Sequence, residues 1–264
     1  MNTAQRTYVI TGSSSGIGAA TSNLLTKRGW RVIRVDLHDA DVIADLGSSS
    51  GRADAIAGVL KTSGGIIDAI IPCAGLIHGI LPTVSVNFFG VTQFVNGLLP
   101  ILKNSPAPRV ATMSSVASLL PNSPQLVDAM MDDDEQKALE IAQGLIDEGP
   151  KSAGLIYSST KGAISQWVRR ESIKPEWAGA GIPLNAVGPG IVETPMMSKV
   201  LASDKLRSAT DAMIPMPLNY HLKPMEVAYL LAWLTSEENS HITGQTIFID
   251  GGSDALLRGA KIWE

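Results

Sequence analysis

One cysteine, Cys73, stands in 264 residues, so no internal disulfide can form and nothing in the chain calls for an oxidising compartment. Cytoplasm is the expectation. The four histidines, His38, His78, His221 and His241, lie far apart and lack metal-ligand spacing, which argues against a catalytic metal. Charge is sparse, at 17% of residues with a net value of -4, and Lys and Arg are nowhere clustered. Phosphate neutralisation needs clustered cations, so a nucleic-acid partner is not expected. No apolar run approaches the roughly 20 residues that span a bilayer, so no membrane partner is expected. Met1 to Thr7 is polar and runs straight into a short strand, without the apolar core or cleavage site of a leader. Repeats and low-complexity tracts are absent.

What is present is hydrophobic material, 45% of the chain, arranged in alternating short strands and helices. Tyr8-Val9-Ile10 precedes a Gly/Ser-rich turn and a helix whose Ala20, Leu24 and Leu25 recur before Gly29. Trp30 to Asp36 reads as a second strand and Asp41 to Leu46 as a third. A weak helix over Arg52 to Lys61 leads to the apolar run Ile66 to Cys73, with Pro72 placed at the strand's end because proline cannot donate to a ladder. A helix over Val84 to Leu102 and a strand over Arg109 to Ser115 follow. Residues 119–151 break the rhythm with prolines, the acids Asp132 to Glu135 and an Ala/Leu/Ile pattern, and are expected to form an inserted helical excursion whose acids make a solvated helix start. Tyr157 to Arg170 resumes as a helix, Ile182 to Val187 as a strand, Pro195 to Tyr220 as a mobile flap, Val227 to Leu234 as a helix and Thr246 to Ile249 as a last strand. Such alternation predicts one α/β domain over 1–264, a doubly wound parallel sheet of Rossmann type with ligands at the carboxyl ends of its strands.

Three groups of residues carry chemistry. In the turn Thr11 to Gly18, Gly12, Gly16 and Gly18, with Ser15 and Ile17 between them, allow the backbone to approach a pyrophosphate at a helix N-terminus. Asp36, followed by Leu37, ends the second strand about twenty residues on, where a carboxylate can accept from ribose hydroxyls and repel a phosphate. NAD rather than NADP is the expected cofactor. Arg31 and Arg34 are the nearby cations that could oppose this preference. Tyr157 and Lys161, four apart, share a helix face, and an ammonium there would favour the phenolate of a tyrosine whose ordinary pKa is about 10. Ser115, at the end of the fifth strand, is placed to hydrogen-bond a substrate oxygen.

The ordered set TGSSSGIG at 11–18, CAG at Cys73 to Gly75, Asn87, Ser114-Ser115, YSSTK at 157–161, Pro189-Gly190 with Thr194, and IDGG at 249–252 resembles the short-chain dehydrogenase/reductase family along essentially the whole chain. The resemblance implies a tetrad of Asn87, Ser115, Tyr157 and Lys161. In it Tyr157 is the acid/base, Ser115 orients the carbonyl, Lys161 lowers the tyrosine pKa and holds the nicotinamide ribose, and Asn87 holds a relay water. It also implies that Thr194 and the Val192 backbone bind the carboxamide and that Asp45-Leu46 meet the adenine, with Cys73, Ala74, Gly75, Pro189 and Gly190 lining the cofactor site. Pro72-Cys73-Ala74-Gly75 replaces the family's usual NNAG. The connection after Asp36 is too short for the usual helix, and 119–151 is long. These features, with VIADL and SSVAS, resemble the 3α-hydroxysteroid dehydrogenase/carbonyl reductase branch.

The implied activity is interconversion of a secondary alcohol and a ketone. Met196, Met197, Val200, Leu201, Met213, Ile214, Met216 and Leu218 either line a pocket for a bulky aryl or steroid-like substrate or pack as core beneath a loop. A dehydratase or epimerase on the same fold, and a regulator with vestigial catalysis, are the rival functions. Because the excursion could cover the face through which family members usually associate, a homodimer through the last helix and strand is expected. Cys73 itself reads as a packed residue rather than a nucleophile.

Overall fold

The computed structural model describes residues 5–263, so Met1 to Ala4, on which part of the leader argument falls, lie outside the described residues. Seven strands form one parallel sheet: β1 (Thr7–Thr11), β2 (Arg31–Asp36), β3 (Val42–Ile43), β4 (Ala69–Pro72), β5 (Arg109–Met113), β6 (Leu184–Pro189) and β7 (Thr246–Ile249). Their order is β3-β2-β1-β4-β5-β6-β7. β1 alternates its side chains as a pleated strand must: Val9 enters the core on one face, Tyr8 and Ile10 the core on the other. The first face is covered by α2 (Ser49–Ser63), α4 (Gly90–Leu102) and α8 (Leu155–Glu171), the second by α1 (Gly16–Lys27) and α11 (Pro224–Leu234). This is the doubly wound sheet that the alternation of apolar runs requires.

Several boundaries differ from expectation for identifiable reasons. The third strand shrinks to two residues because only Val35 and Asp36 face it, and the chain then turns at Asp45, whose Oδ1 accepts from Gly47 N at 2.8 Å. β4 ends at Pro72, opposite Thr11, and pairing towards β1 continues through Cys73 N to Thr11 O at 3.1 Å. The missing proline N–H therefore points towards β5, where the paired register has already ended at Ile70 opposite Val110. α2 starts three residues earlier than the apolar pattern indicates, since Ser48 caps it by accepting from Gly51 N. The expected helix over Val84 to Leu102 begins at Leu81 and has three parts: α3 (Leu81–Val84), a π-helical turn (Ser85–Phe89) and α4. By length and apolarity the run Leu81–Leu102 could cross a bilayer, contrary to the sequence expectation, but 61% of its most apolar window is buried inside the protein.

The excursion is helical as expected, with α5 (Pro124–Met131), α6 (Glu135–Asp147) and α7 (Pro150–Ala153). Its acids are only partly a solvated helix start. Asp134 caps α6 by accepting from Lys137 N, whereas Glu135 turns inward and pairs with Arg52, a guanidinium only 2% exposed. The stretch expected as a flap contains α9 (Ser198–Leu201) and α10 (Asp204–Met213), the latter capped by Ser203. After β7 the chain adds α12 (Ser253–Arg258), which periodicity alone did not reveal.

Candidate active site

Chain direction across the sheet reverses between β1 and β4, and ligands of doubly wound sheets bind in the crevice at that point. The turn leaving β1 occupies it. Gly12 has φ +65, and a Cβ there would stand 2.6 Å from Ala74 N, so only glycine lets the two loops meet. α1 follows immediately, with Ser15 at its N-cap and no side chain capping it, leaving first-turn N–H groups turned to the crevice. A bare cradle and an uncapped helix start fit a pyrophosphate, whose negative charge the helix end favours. Beside them Asp36 accepts from Ser14 N at 2.9 Å and from Leu37 N at 2.7 Å, which fixes its carboxylate against the glycine turn. Arg34 is held by Asp41 and the Asp39 carbonyl, and Arg31 by the carbonyls of Thr62 and Ser63. Both cations are therefore committed away from Asp36.

The chemical end is built on α8. Tyr157 and Lys161 lie on successive turns, with Nζ 5.8 Å from the ring centroid. Lys161 is 6% exposed and donates to Met113 O at 3.0 Å. Ser115 starts a short 3₁₀ turn, Val116–Leu119, by accepting from Ala117 N, and its hydroxyl lines the same cleft as the Tyr157 phenol. Burial pushes the phenol up, while the polar influence of Ser115 works against that shift. The same burial pushes Lys161 down to about 8, opposed by Cys73, and pushes the Cys73 thiol up to about 12, opposed by Lys161. Loss of water thus outweighs the effect of Ser115 at the phenol. The high thiol value agrees with a packed cysteine.

Asn87 sits on the π-helical turn, fully buried. Its Oδ1 accepts from Leu76 N at 2.7 Å, and its Nδ2 donates to Leu76 O at 2.8 Å and to Thr160 Oγ1 at 3.1 Å. The amide thus pins the loop after β4 to α8, and its Oδ1 and the Lys161 ammonium approach the same point beside Gly75, 3.3 and 3.9 Å from where a Cβ there would stand.

One cleft of about 1150 Å³ joins the two ends. Gly12, Ser15, Gly16, Ile17 and Gly18 line it, as do Asp36, Leu37, Asp45 and Leu46. Cys73, Ala74 and Gly75 form its floor with Ser115, Tyr157 and Lys161, and Pro189, Gly190, Val192 and Thr194 close the side above β6. Of the residues expected at the site, only Asn87 stands behind the wall. Met196, Met197, Val200, Met213 and Ile214 face the cleft; Leu201 and Met216 pack into the core, and Leu218 is exposed. Both readings of that apolar set therefore hold, and Met197 and Ile214 meet both, facing the cleft while packing against the core.

Sequence reasoning missed three kinds of contributor. Ser114 donates to the Lys161 carbonyl at 3.0 Å and shares a 2.8 Å hydrogen bond with Ser165, fixing the helix under the lysine. Leu139 and Lys151 of the excursion, and Leu76 and Ile77 of the loop after β4, form walls. Their signal lay in tertiary packing alone, except that Ser114 adjoins Ser115 and could have been flagged with it.

A family profile described as short chain dehydrogenase matches residues 6–127, and one described as enoyl-(acyl carrier protein) reductase matches residues 142–254. A 3-alpha-hydroxysteroid dehydrogenase/carbonyl reductase of Comamonas testosteroni is 36% identical over 95% of this chain and 97% of its own. A 3beta-hydroxysteroid dehydrogenase of Eggerthella lenta is 27% identical over 94% of this chain and 93% of its own. Among solved structures, a 3-alpha-hydroxysteroid dehydrogenase from a Pseudomonas species, complexed with NADH, superposes with a TM-score of 0.88 at 36% identity, covering 97% of this chain and all of that one. Glycine turn, tyrosine, lysine and serine meeting in one cleft, together with a relative of this identity across nearly the full length, establish that the chain belongs to the short-chain dehydrogenase/reductase family.

Proposed function

We propose that residues 1–264 act as one catalytic unit, an NAD(H)-dependent oxidoreductase that interconverts a secondary alcohol and a ketone on a bulky, apolar, aryl or steroid-like substrate. The observation that carries this reading is the convergence of Ser115, Tyr157 and Lys161 in the cleft that also contains the glycine turn and Asp36. Bound NAD(H) supplies or removes the hydride. The protein's own groups do the rest. The Gly12–Gly18 turn and the start of α1 hold the pyrophosphate, Asp36 accepts from the adenine ribose, and Asp45 and Leu46 flank the adenine. Val192 and Thr194 receive the carboxamide. Ser115 and Tyr157 grip the substrate oxygen, and the phenol transfers the proton to or from it. Because burial raises the phenol's pKa, Tyr157 stands protonated at neutral pH and is ready to donate to a carbonyl. Lys161 is the cation that favours the phenolate formed and also holds the nicotinamide ribose. Asn87 positions Lys161 indirectly, through Thr160 and the loop after β4.

The apolar cleft walls and the two hydroxysteroid relatives support a large apolar substrate. The deciding experiment follows absorbance of reduced nicotinamide while purified protein meets a panel of ketones and alcohols. Turnover of aryl or steroid ketones is expected, lost in Tyr157→Phe with cofactor binding retained. Undiminished turnover in that variant rejects the mechanism, and equal rates on small sugars reject the apolar substrate.

The single free thiol supports a cytoplasmic enzyme. A homodimer through α11, β7 and α12 is supported by Tyr229 and Trp233, exposed four residues apart on α11, and by Leu256 and Leu257 on α12. The opposite option is obstructed because α5 packs against α8. A tetramer in light scattering would contradict this assembly.

A further inference from the structure

We propose that Ser158 and Ser159, the two residues after Tyr157, staple one wall of the substrate site to the catalytic helix and so fix which face of a prochiral ketone meets the nicotinamide. This rests on reading the cleft as an alcohol/ketone site. The wall is the segment that runs from Ser115 through its 3₁₀ turn to Ser123, the N-cap of α5, and its Ala117, Leu120 and Pro121 line the cleft. Pro121 has no N–H, so its carbonyl is its one polar handle. Ser158 Oγ donates to that carbonyl at 2.6 Å, with Leu155 O a longer second acceptor at 3.1 Å. Two residues on, Ser123 N donates to Ser159 Oγ at 2.9 Å, and Ser159 in turn donates to Leu155 O at 2.7 Å. Ser123, Ser158 and Ser159 are all buried, so water competes poorly for these bonds.

The same helix holds the other end of the segment, through the bond from Ser114 to Lys161 O at 3.0 Å. Residues 114–123 are thus strapped to α8 at both ends, and Ser115, Tyr157 and the Leu120-Pro121 wall keep one mutual geometry. The flap that lines another part of the site is built differently. Its helices α9 and α10 bury no residue, and Met196 and Met213 are exposed. Methionine contacts adapt to the size of what they meet, whereas short buried hydrogen bonds hold a position. A ketone whose oxygen is gripped by Ser115 and Tyr157 keeps one main freedom, rotation about its C=O axis. Half a turn exchanges the two substituents and offers the opposite face to the hydride. The strapped wall, which starts at the oxygen site itself, decides which substituent fits beside it.

The test uses an aryl alkyl ketone with substituents of unlike size and reads the enantiomeric ratio of the alcohol formed with NADH. Ser158→Ala and Ser158→Cys, the latter similar in shape but a weak donor, should lower that ratio about three- to tenfold, the scale of one lost hydrogen bond. Ser158→Thr keeps the hydroxyl and should hold the ratio within about twofold of wild type. Ser159→Ala should lower it as Ser158→Ala does, while Met213→Ala in the flap should raise KM and leave the ratio unchanged. A merely structural loss would lower Tm and slow both enantiomers alike. An unchanged ratio in Ser158→Ala therefore overturns the staple, as does equal formation of both enantiomers by wild type. If no ketone is turned over, the separated alcohol enantiomers are titrated by calorimetry into NADH-loaded protein. Preference for one enantiomer, lost in Ser158→Ala, keeps the staple and removes the redox reading; equal binding, or none, removes the staple too.

Discussion

Replacing Lys161 by methionine should make the protein more stable while destroying its chemistry. The ammonium is 6% exposed, and burial lowers its pKa from 10.5 to about 8. At pH 7 the lysine is charged in both folded and unfolded chains, so the folded state bears the whole desolvation penalty. Because the folded pKa lies below the unfolded one, the unfolded chain binds more protons between about pH 8 and 10.5, and stability rises with pH across that window. The shift corresponds to about 3 kcal/mol at pH 7, at 1.36 kcal/mol per unit. Losing the hydrogen bond from Nζ to Met113 O, 3.0 Å long, takes back about 1 kcal/mol. Lys161→Met should therefore gain about 2 kcal/mol at pH 7, a Tm rise of about 4 to 8 °C for a chain of this size. The gain should largely vanish by about pH 9.5, where the wild-type lysine is already neutral when folded. Thermal unfolding of the cofactor-free protein at both pH values measures this directly. A variant less stable than wild type at pH 7, or a gain independent of pH, would show that the buried ammonium is not strained by desolvation.

Asp36→Asn removes the charge and keeps an acceptor for only one of Ser14 N and Leu37 N, which bond different carboxylate oxygens, so the preference for NADH over NADPH in kcat/KM should fall at least about fivefold, since a carboxylate about 4 Å from a phosphate repels it by about 1 to 4 kcal/mol. An unchanged ratio would move cofactor selection elsewhere. Gly12→Ala should lose NADH binding measured by fluorescence and lower Tm, because its Cβ meets Ala74 N at 2.6 Å at a φ of +65. Glu135→Ala leaves the Arg52 guanidinium, 2% exposed, without its carboxylate, and denaturant unfolding should report a loss of about 2 kcal/mol. His221 Nε2 and Asp211 are 2.8 Å apart and tie α10 to the segment after it, so His221→Ala should raise KM for a bulky ketone more than it lowers kcat. A pure kcat loss would mean that α10 does not shape the substrate wall.

The parts of this molecule legible in its sequence are those specified by local rules. Short continuous apolar runs marked the strands, as a parallel sheet covered on both faces requires, and glycines between β1 and α1 marked the nucleotide turn, where backbone geometry demands them. Tyr157 and Lys161 were legible because four residues on a helix place side chains on one face. The π-helical turn was not: nothing in Ser85 to Phe89 departs from an ordinary helical composition, and the extra residue is accommodated where Asn87 reaches Leu76 and Thr160. Glu135 was misread for a related reason. Acids at a helix start are ordinarily solvated, and only the approach of α2 from 83 residues away turns this one towards Arg52. The value of Tyr157 likewise depends on how much water the assembled walls exclude, which spacing does not encode.

The bonding at position 87 also sets what this chain can tolerate as it diverges. Its side chain must accept from an N–H and donate to a C=O of the same residue, Leu76, while offering a second donor to Thr160. Aspartate cannot donate, leucine can do neither, and glutamine carries its amide one methylene too far. A saturation library at this site, selected for turnover, should return asparagine alone, whereas the neighbouring apolar positions Val86 and Phe88 should accept several substitutes. An amide buried behind the cleft wall would thus be held as tightly through evolution as any residue that lines the cleft.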